Sequence, residues 1–174
     1  MRESLRRLLQ AMRLERDAFV WMDFNDRATG DAAIFVVVTE VLVLLAAGNS
    51  LFGLALNFVN LIYSLLFALV AWLIYSGLTY AAARFVFQGD GSFATFLRIA
   101  GFAAPTLLLL IFTALVIPSG FLALIAGSVW FLAIVSAGVR YIADLMLWQA
   151  ALSAVLGLAG LVIVQAIFSG GVLF

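Results

Sequence analysis

Polar residues cut this chain into apolar runs of membrane-spanning length. A hydrocarbon core about 30 Å thick takes about 20 residues of helix. The first run, Ala32 to Ala47, is closed by Gly48-Asn49-Ser50. The next, Leu51 to Phe87, is too long for one span. Asn57, Asn60 and Ser64 mark one end and Thr79, Tyr80 and Arg84 the other. These marks separate an interfacial lead-in, Leu51–Asn57, from a second span over about Phe58–Arg84. "QGDGS", residues 88–92, has turn composition. A third span over Thr95–Ile117 meets a fourth over Phe121–Val139 through the tight "IPSG" connection, residues 117–120. "RYIADLM", residues 140–146, returns the chain to water. The fifth span covers Leu147–Phe168 and leaves the tail "SGGVLF". The runs are continuous rather than alternating, so they predict helices and not barrel strands. Short connections make sequence neighbours antiparallel. The pattern predicts an all-α polytopic membrane protein, a bundle of five transmembrane helices.

Residues 1–31 follow a different pattern. Leu5, Leu8, Leu9 and Met12 fall at i, i+3, i+4 and i+7, one face of a helix. Arg2, Arg6, Arg7 and Arg13 lie mostly elsewhere, and Phe19, Trp21, Met22 and Phe24 follow. A basic amphipathic helix with aromatic neighbours lies in the headgroup plane. Leu8 and Leu9 are expected to dip into the leaflet, with Arg6, Arg7 and Arg13 in contact with lipid headgroups. A cleavable signal has a short basic segment and then an apolar core; here charge persists to Asp31. The chain thus divides into a cytoplasmic amphipathic segment, 1–31, and a five-helix transmembrane domain, 32–174.

Composition agrees with lipid as the solvent. Hydrophobic residues make up 67% of the chain, charged residues 10%, and mean hydropathy is +1.24; soluble domains average about 25% charged. There is no cysteine and no histidine, which excludes disulfides, thiolate metal sites and the usual acid–base group near pH 7. All nine basic residues are arginine. Six precede the first span, Arg84 and Arg98 flank the second loop, and Arg140 opens the fourth. With five spans, all nine fall on one side. Segments Gly48–Asn57, Ile117–Gly120 and Ser169–Phe174 carry no charge. The positive-inside rule then gives a cytoplasmic N-terminus and an outside C-terminus.

One carboxylate interrupts "VVVTEVLVLL", residues 36–45. Glu40 lies roughly 12 Å into the first span at ~1.5 Å per residue. A charged group at that depth should face protein or water. It could be a proton or cation site. The favoured reading is a hydrogen-bonded link to the second span, where Ser76, Thr79 and Tyr80 form a candidate polar site at matched depth; a substrate or lipid contact is the third. Arg98 and Arg140 sit at cytoplasmic ends, where they can snorkel, and Asp144 near Arg140 reads as loop solvation. Pro105 frees a backbone carbonyl near Gly101 and kinks the third span. No nucleophile–base set, metal-ligand cluster or phosphate loop is present, so neither enzymatic activity nor a cofactor is expected.

"SFATFLRIAGFAAPTLLLL", residues 92–110, and "VWFLAIVSAGVRYIADLMLWQA", residues 129–150, resemble the Yip family, five-span membrane proteins named for interacting with Ypt/Rab GTPases. Gly101, Phe102 and Pro105 fit that family's third-span pattern. "MDFNDRATGDA" stands where eukaryotic members carry an acidic-aromatic motif, without its Tyr-Gly-Pro element. The resemblance is to a prokaryotic relative, for which Ypt/Rab partners are not expected. It implies a non-catalytic protein of the inner membrane with a role in membrane organisation or in contact with another membrane protein. The expected partners are the lipid bilayer and another membrane protein or a second copy, with no nucleic acid. The alternative is a small carrier or channel subunit that uses Glu40.

Overall fold

The computed structural model describes residues 2–46, 57–111 and 120–170. Those residues form seven α-helices and no strand. The Gly48-Asn49-Ser50 closure, nearly all of the Leu51–Asn57 lead-in, most of the "IPSG" connection and the last four residues of the tail lie outside the described residues.

Two short helices come first: α1, Arg2–Met12, and α2, Arg16–Phe24. Leu14 between them has φ 60, a left-handed residue that turns the chain back on itself. The first span is α3, Ala28–Ala46. It starts four residues before the apolar run, because the Asn25 side chain accepts from the Arg27 amide and organises the preceding turn. The second span is α4, Phe58–Ala81, continued by a π-helical turn over Ala82–Val86. The third is α5, Phe93–Ala103, capped by Ser92, whose hydroxyl accepts from the Thr95 amide. It runs on as 3-10 helix through Ala104–Leu108 around Pro105, where proline cannot donate to the α-helical ladder. The last two are α6, Gly120–Ile142, and α7, Leu147–Gly170.

Four of these segments are long and apolar enough to cross a bilayer: Ala28–Ala46, Phe58–Val86, Phe93–Ile111 and Leu147–Ile167. The fifth, α6, has 23 residues and is apolar over Gly127–Ile142. The chain is an all-α, multi-pass membrane protein. Its outer surface carries the expected apolar rows. On α4, Val59, Tyr63, Leu66, Val70 and Leu73 are all exposed along one side, a face that only lipid or another apolar surface covers at no cost.

The third span is the axis of the bundle. Of its most apolar stretch, 61% is buried within the protein, against 22% for α3 and 6% for α4. Every residue from Thr95 to Ala104 is buried, and α5 packs against α1, α2, α3, α4 and α6. Small residues permit this. A Cβ at Gly101 would lie 2.6 Å from the Cβ of Ala32, so the glycine sets how closely the first and third spans approach. At the other side of the bundle a Cβ at Gly157 would overlap the Thr79 hydroxyl, and α4 packs closely on α7 there.

The amphipathic helices are part of this core. Leu8, Ala11, Ala18, Phe19 and Met22 join Ile99, Phe102, Ile134, Val135 and Val139 in one apolar cluster. The expected placement of Leu8 in the leaflet is therefore corrected: Leu8 is 9% exposed and faces protein, while Leu9 is 59% exposed. The i, i+3, i+4, i+7 stripe is wide enough to be split between two environments. Ser4, Leu8 and Ala11 turn inward, and Leu5 and Leu9 turn outward. Residues 1–31 are not a separate layer, since α2 also packs on α6.

Candidate functional site

The densest polar grouping lies where α2 ends and α3 begins. Arg98, on the third span, is only 4% exposed. Its Nε donates to Thr29 Oγ1 at 2.8 Å. Its Nη1 donates to the carbonyls of Met22 and Asp23 at 2.8 and 3.1 Å, and its Nη2 donates to Asp26 Oδ1 at 2.7 Å. Met22 and Asp23 are in the last turn of α2, where carbonyls have no helical partner and a cation is favoured. One turn earlier on α5, the Thr95 hydroxyl donates to Asp23 Oδ1 at 2.7 Å. The Ser4 hydroxyl of α1 donates to Asp31 Oδ2 at 2.6 Å. A polar clasp thus ties "DFNDRATGD" to the start of the third span. The expectation that Arg98 snorkels is corrected: α2 folds over the end of α5 and supplies acceptors before the side chain reaches water.

The same end of the bundle collects the other loops. Arg84 Nη1 donates to Gly89 O at 3.1 Å and Asp90 Oδ1 at 3.2 Å, and the Asp90 amide donates to Ala143 O at 3.1 Å. Asp144, with φ 51, forms no ion pair with Arg140, whose guanidinium instead lies 5.8 Å from the centre of the Tyr141 ring.

The predicted headgroup arginines do not act as one set. Arg6 and Arg13 are exposed. Arg7 is half-buried: it pairs with Glu3 at 3.5 Å, donates to Gln10 Oε1 at 3.0 Å and sits 5.6 Å from the centre of the Trp21 ring. Its helix face turns toward α2.

Glu40 is half-buried and stands on the wall of a cavity of about 340 Å³ between the spans. Val36, Ala71, Trp72, Tyr75, Ala104 and Phe131 are among its neighbours there. Among the described residues Glu40 makes no hydrogen bond to Ser76, Thr79 or Tyr80, and the expected polar site is not assembled. Ser76 Oγ donates to Trp72 O of its own helix at 2.7 Å, a bond that satisfies a hydroxyl inside a membrane helix. Tyr80 packs edge-on against Phe93 and Phe96, with centroids 6.1 and 5.4 Å away. Thr79 is buried against α7. On α4 the cavity wall runs from Phe67 to Tyr75 and does not include Ser76, Thr79 or Tyr80.

Gly101, Phe102 and Pro105 all act within the third span. Phe102 is fully buried between Trp21 and Phe35, with T-shaped contacts at 6.1 and 4.9 Å. Pro105 lies in the 3-10 stretch, whose Ala104 and Leu107 line the cavity. The role of Arg98 had one signal in the sequence: an arginine six residues after a capping serine, preceding a Gly-aromatic pair, in a helix otherwise free of charge.

A family model, the Yip1 domain, matches residues 15–168. No curated protein and no solved structure matches the chain.

Proposed function

This chain belongs to the Yip1 domain family, and on that premise we propose that it is a non-catalytic organiser of the inner membrane that acts by contact with another membrane protein or a second copy of itself. The observation that carries this reading is the clasp. Arg98, Asp23 and Thr29 are occupied in holding α2 and α3 on the third span, so the deepest guanidinium serves architecture. What the clasp presents is a fixed cytoplasmic platform, with Leu5, Leu9 and Phe24 exposed beside the exposed Arg2, Arg6, Arg13 and Arg16. A rigid amphipathic surface at headgroup level suits the juxtamembrane segment of a partner or of a second copy. In this reading the N-terminus is cytoplasmic and the C-terminus outside.

The test places a photo-crosslinking residue at Leu9 in cells. The expected result is a discrete protein adduct, with a membrane protein or a second copy, that disappears when Arg98→Leu releases the platform. Adducts with lipid alone would count against the reading. The alternative, a small carrier or channel subunit, rests on Glu40 beside the cavity. It predicts proton or cation flux in proteoliposomes that Glu40→Gln removes; the organiser predicts no such flux.

A further inference from the structure

The cavity beside Glu40 has features that neither helix packing nor membrane organisation uses. The geometry points to a binding site for a lipophilic organic cation, an ammonium or phosphonium carried on an apolar body, walled by Glu40, Phe67, Trp72, Tyr75 and Phe131. Its volume, about 340 Å³, falls in the range of small-molecule sites, which run from about 300 to 1,000 Å³. Small side chains make the room: Ala71 on α4, and Ala100 and Ala104 on the third span, all border it.

The wall chemistry selects the charge. Four aromatic side chains and one carboxylate line the cavity. Aromatic faces carry negative potential and attract cations within about 6 Å. Tyr75 and Phe131 hold each other at a centroid distance of 5.2 Å, inclined at 51°, and Trp72 is fixed by its Nε1 donating to Leu97 O at 2.9 Å. These rings are therefore held in place before any ligand arrives.

Among the described residues the Glu40 carboxylate has no hydrogen bond and no ion pair to complement it. Every arginine belongs to a segment at the clasp end of the bundle, and Arg98, the most buried of them, is engaged by Met22, Asp23, Asp26 and Thr29. A carboxylate at this depth is costly unless paired. A proton would satisfy it without any cavity. A hard metal ion would need about six oxygen ligands, which this apolar wall does not offer. An organic cation uses both the carboxylate and the rings. The site stands whether or not the chain moves its occupant, so absence of flux bears on the carrier reading and not on binding.

The experiment uses the full chain in phosphatidylcholine nanodiscs and two probes of like shape and opposite charge, tetraphenylphosphonium and tetraphenylborate, with empty discs as background. Equilibrium dialysis is expected to show one saturable phosphonium site per chain and no saturable site for the borate. Glu40→Gln keeps size and polarity but removes the charge, and should weaken phosphonium binding about tenfold or more, as for loss of a charged partner. Ala71→Leu fills the cavity and should abolish the site. No saturable phosphonium binding, equal saturable binding of the borate, or unchanged affinity in Glu40→Gln would each overturn the proposal. If Ala71→Leu fails to fold, the Glu40→Gln comparison decides alone.

Discussion

Arg98 and Asp26 form the shortest ion pair among the described residues, at 2.7 Å, yet their contributions should differ widely. The Arg98 side chain is 5% exposed and that of Asp26 fully exposed. Arg98→Leu leaves the Met22 and Asp23 carbonyls without their donor, and should lower stability by about 3 kcal/mol, the scale for losing hydrogen bonds to a buried charged group. Arg98→Lys should recover only part of this, since an ammonium cannot span acceptors that a planar guanidinium reaches. Asp26→Asn should change little, because a solvated pair is screened. Thermal melts in mild detergent check all three, and equal losses for Arg98→Leu and Asp26→Asn would sink the clasp. Glu40 carries the opposite expectation. It has no bond to Ser76, Thr79 or Tyr80, so Glu40→Leu should leave the melting temperature unchanged or raise it. A loss on the order of 1 kcal/mol, the scale of an interhelical hydrogen bond in a membrane, would restore the helix-linking role. At this scale the sequence was legible in residue type more than in partner. Glu40 stood out as a deep carboxylate at once. What it faces depended on helix register, which a shift of the α3 start from Ala32 to Ala28 changes by about a turn.

At the scale of elements, hydropathy runs located the spans well and their ends less well. Span ends depend on local bonds that hydropathy does not sense, such as the Asn25 side chain on the Arg27 amide and the π-helical turn that carries α4 to Val86. The "QGDGS" turn was readable, and Gly91 there has φ 102, a value that favours glycine. The docking of α1 and α2 was not readable. Their leucine stripe fits a lipid surface and a protein surface alike, and only tertiary packing assigns Leu8 to one and Leu9 to the other. That assignment gives a sharp contrast. Leu8→Ala should cost about 2 kcal/mol by leaving a hole beside Ala11 and Phe19. Leu9→Ala should leave the fold within about 0.5 kcal/mol, because its side chain is largely exposed. Equal destabilisation by the two would mean that α1 is not held as described.

For the whole molecule, charge asymmetry was the clearest signal in the chain. Nine arginines and no lysine fall into segments that the structure gathers at one end: the α2–α3 connection joins the third span through Arg98, and the Asp90 amide joins the loop after α6 at Ala143. The five-helix arrangement and the family follow from hydropathy and from the third-span motif. The cavity was not legible, because Glu40, Trp72, Tyr75 and Phe131 come from three different helices and meet only once registers are set. The proposed orientation puts the clasp end at the cytoplasm in a five-span chain. The absence of native cysteine allows the most direct measurement: single cysteines at Asp26, Asp90, Gly48 and Ser119, each tested with a membrane-impermeant maleimide on intact and on permeabilised cells. Cysteines at Asp26 and Asp90 should label only after permeabilisation, and those at Gly48 and Ser119 should label in intact cells. Labelling of Asp26→Cys or Asp90→Cys in intact cells would overturn that orientation, and labelling of the two from opposite sides would overturn the five-span arrangement.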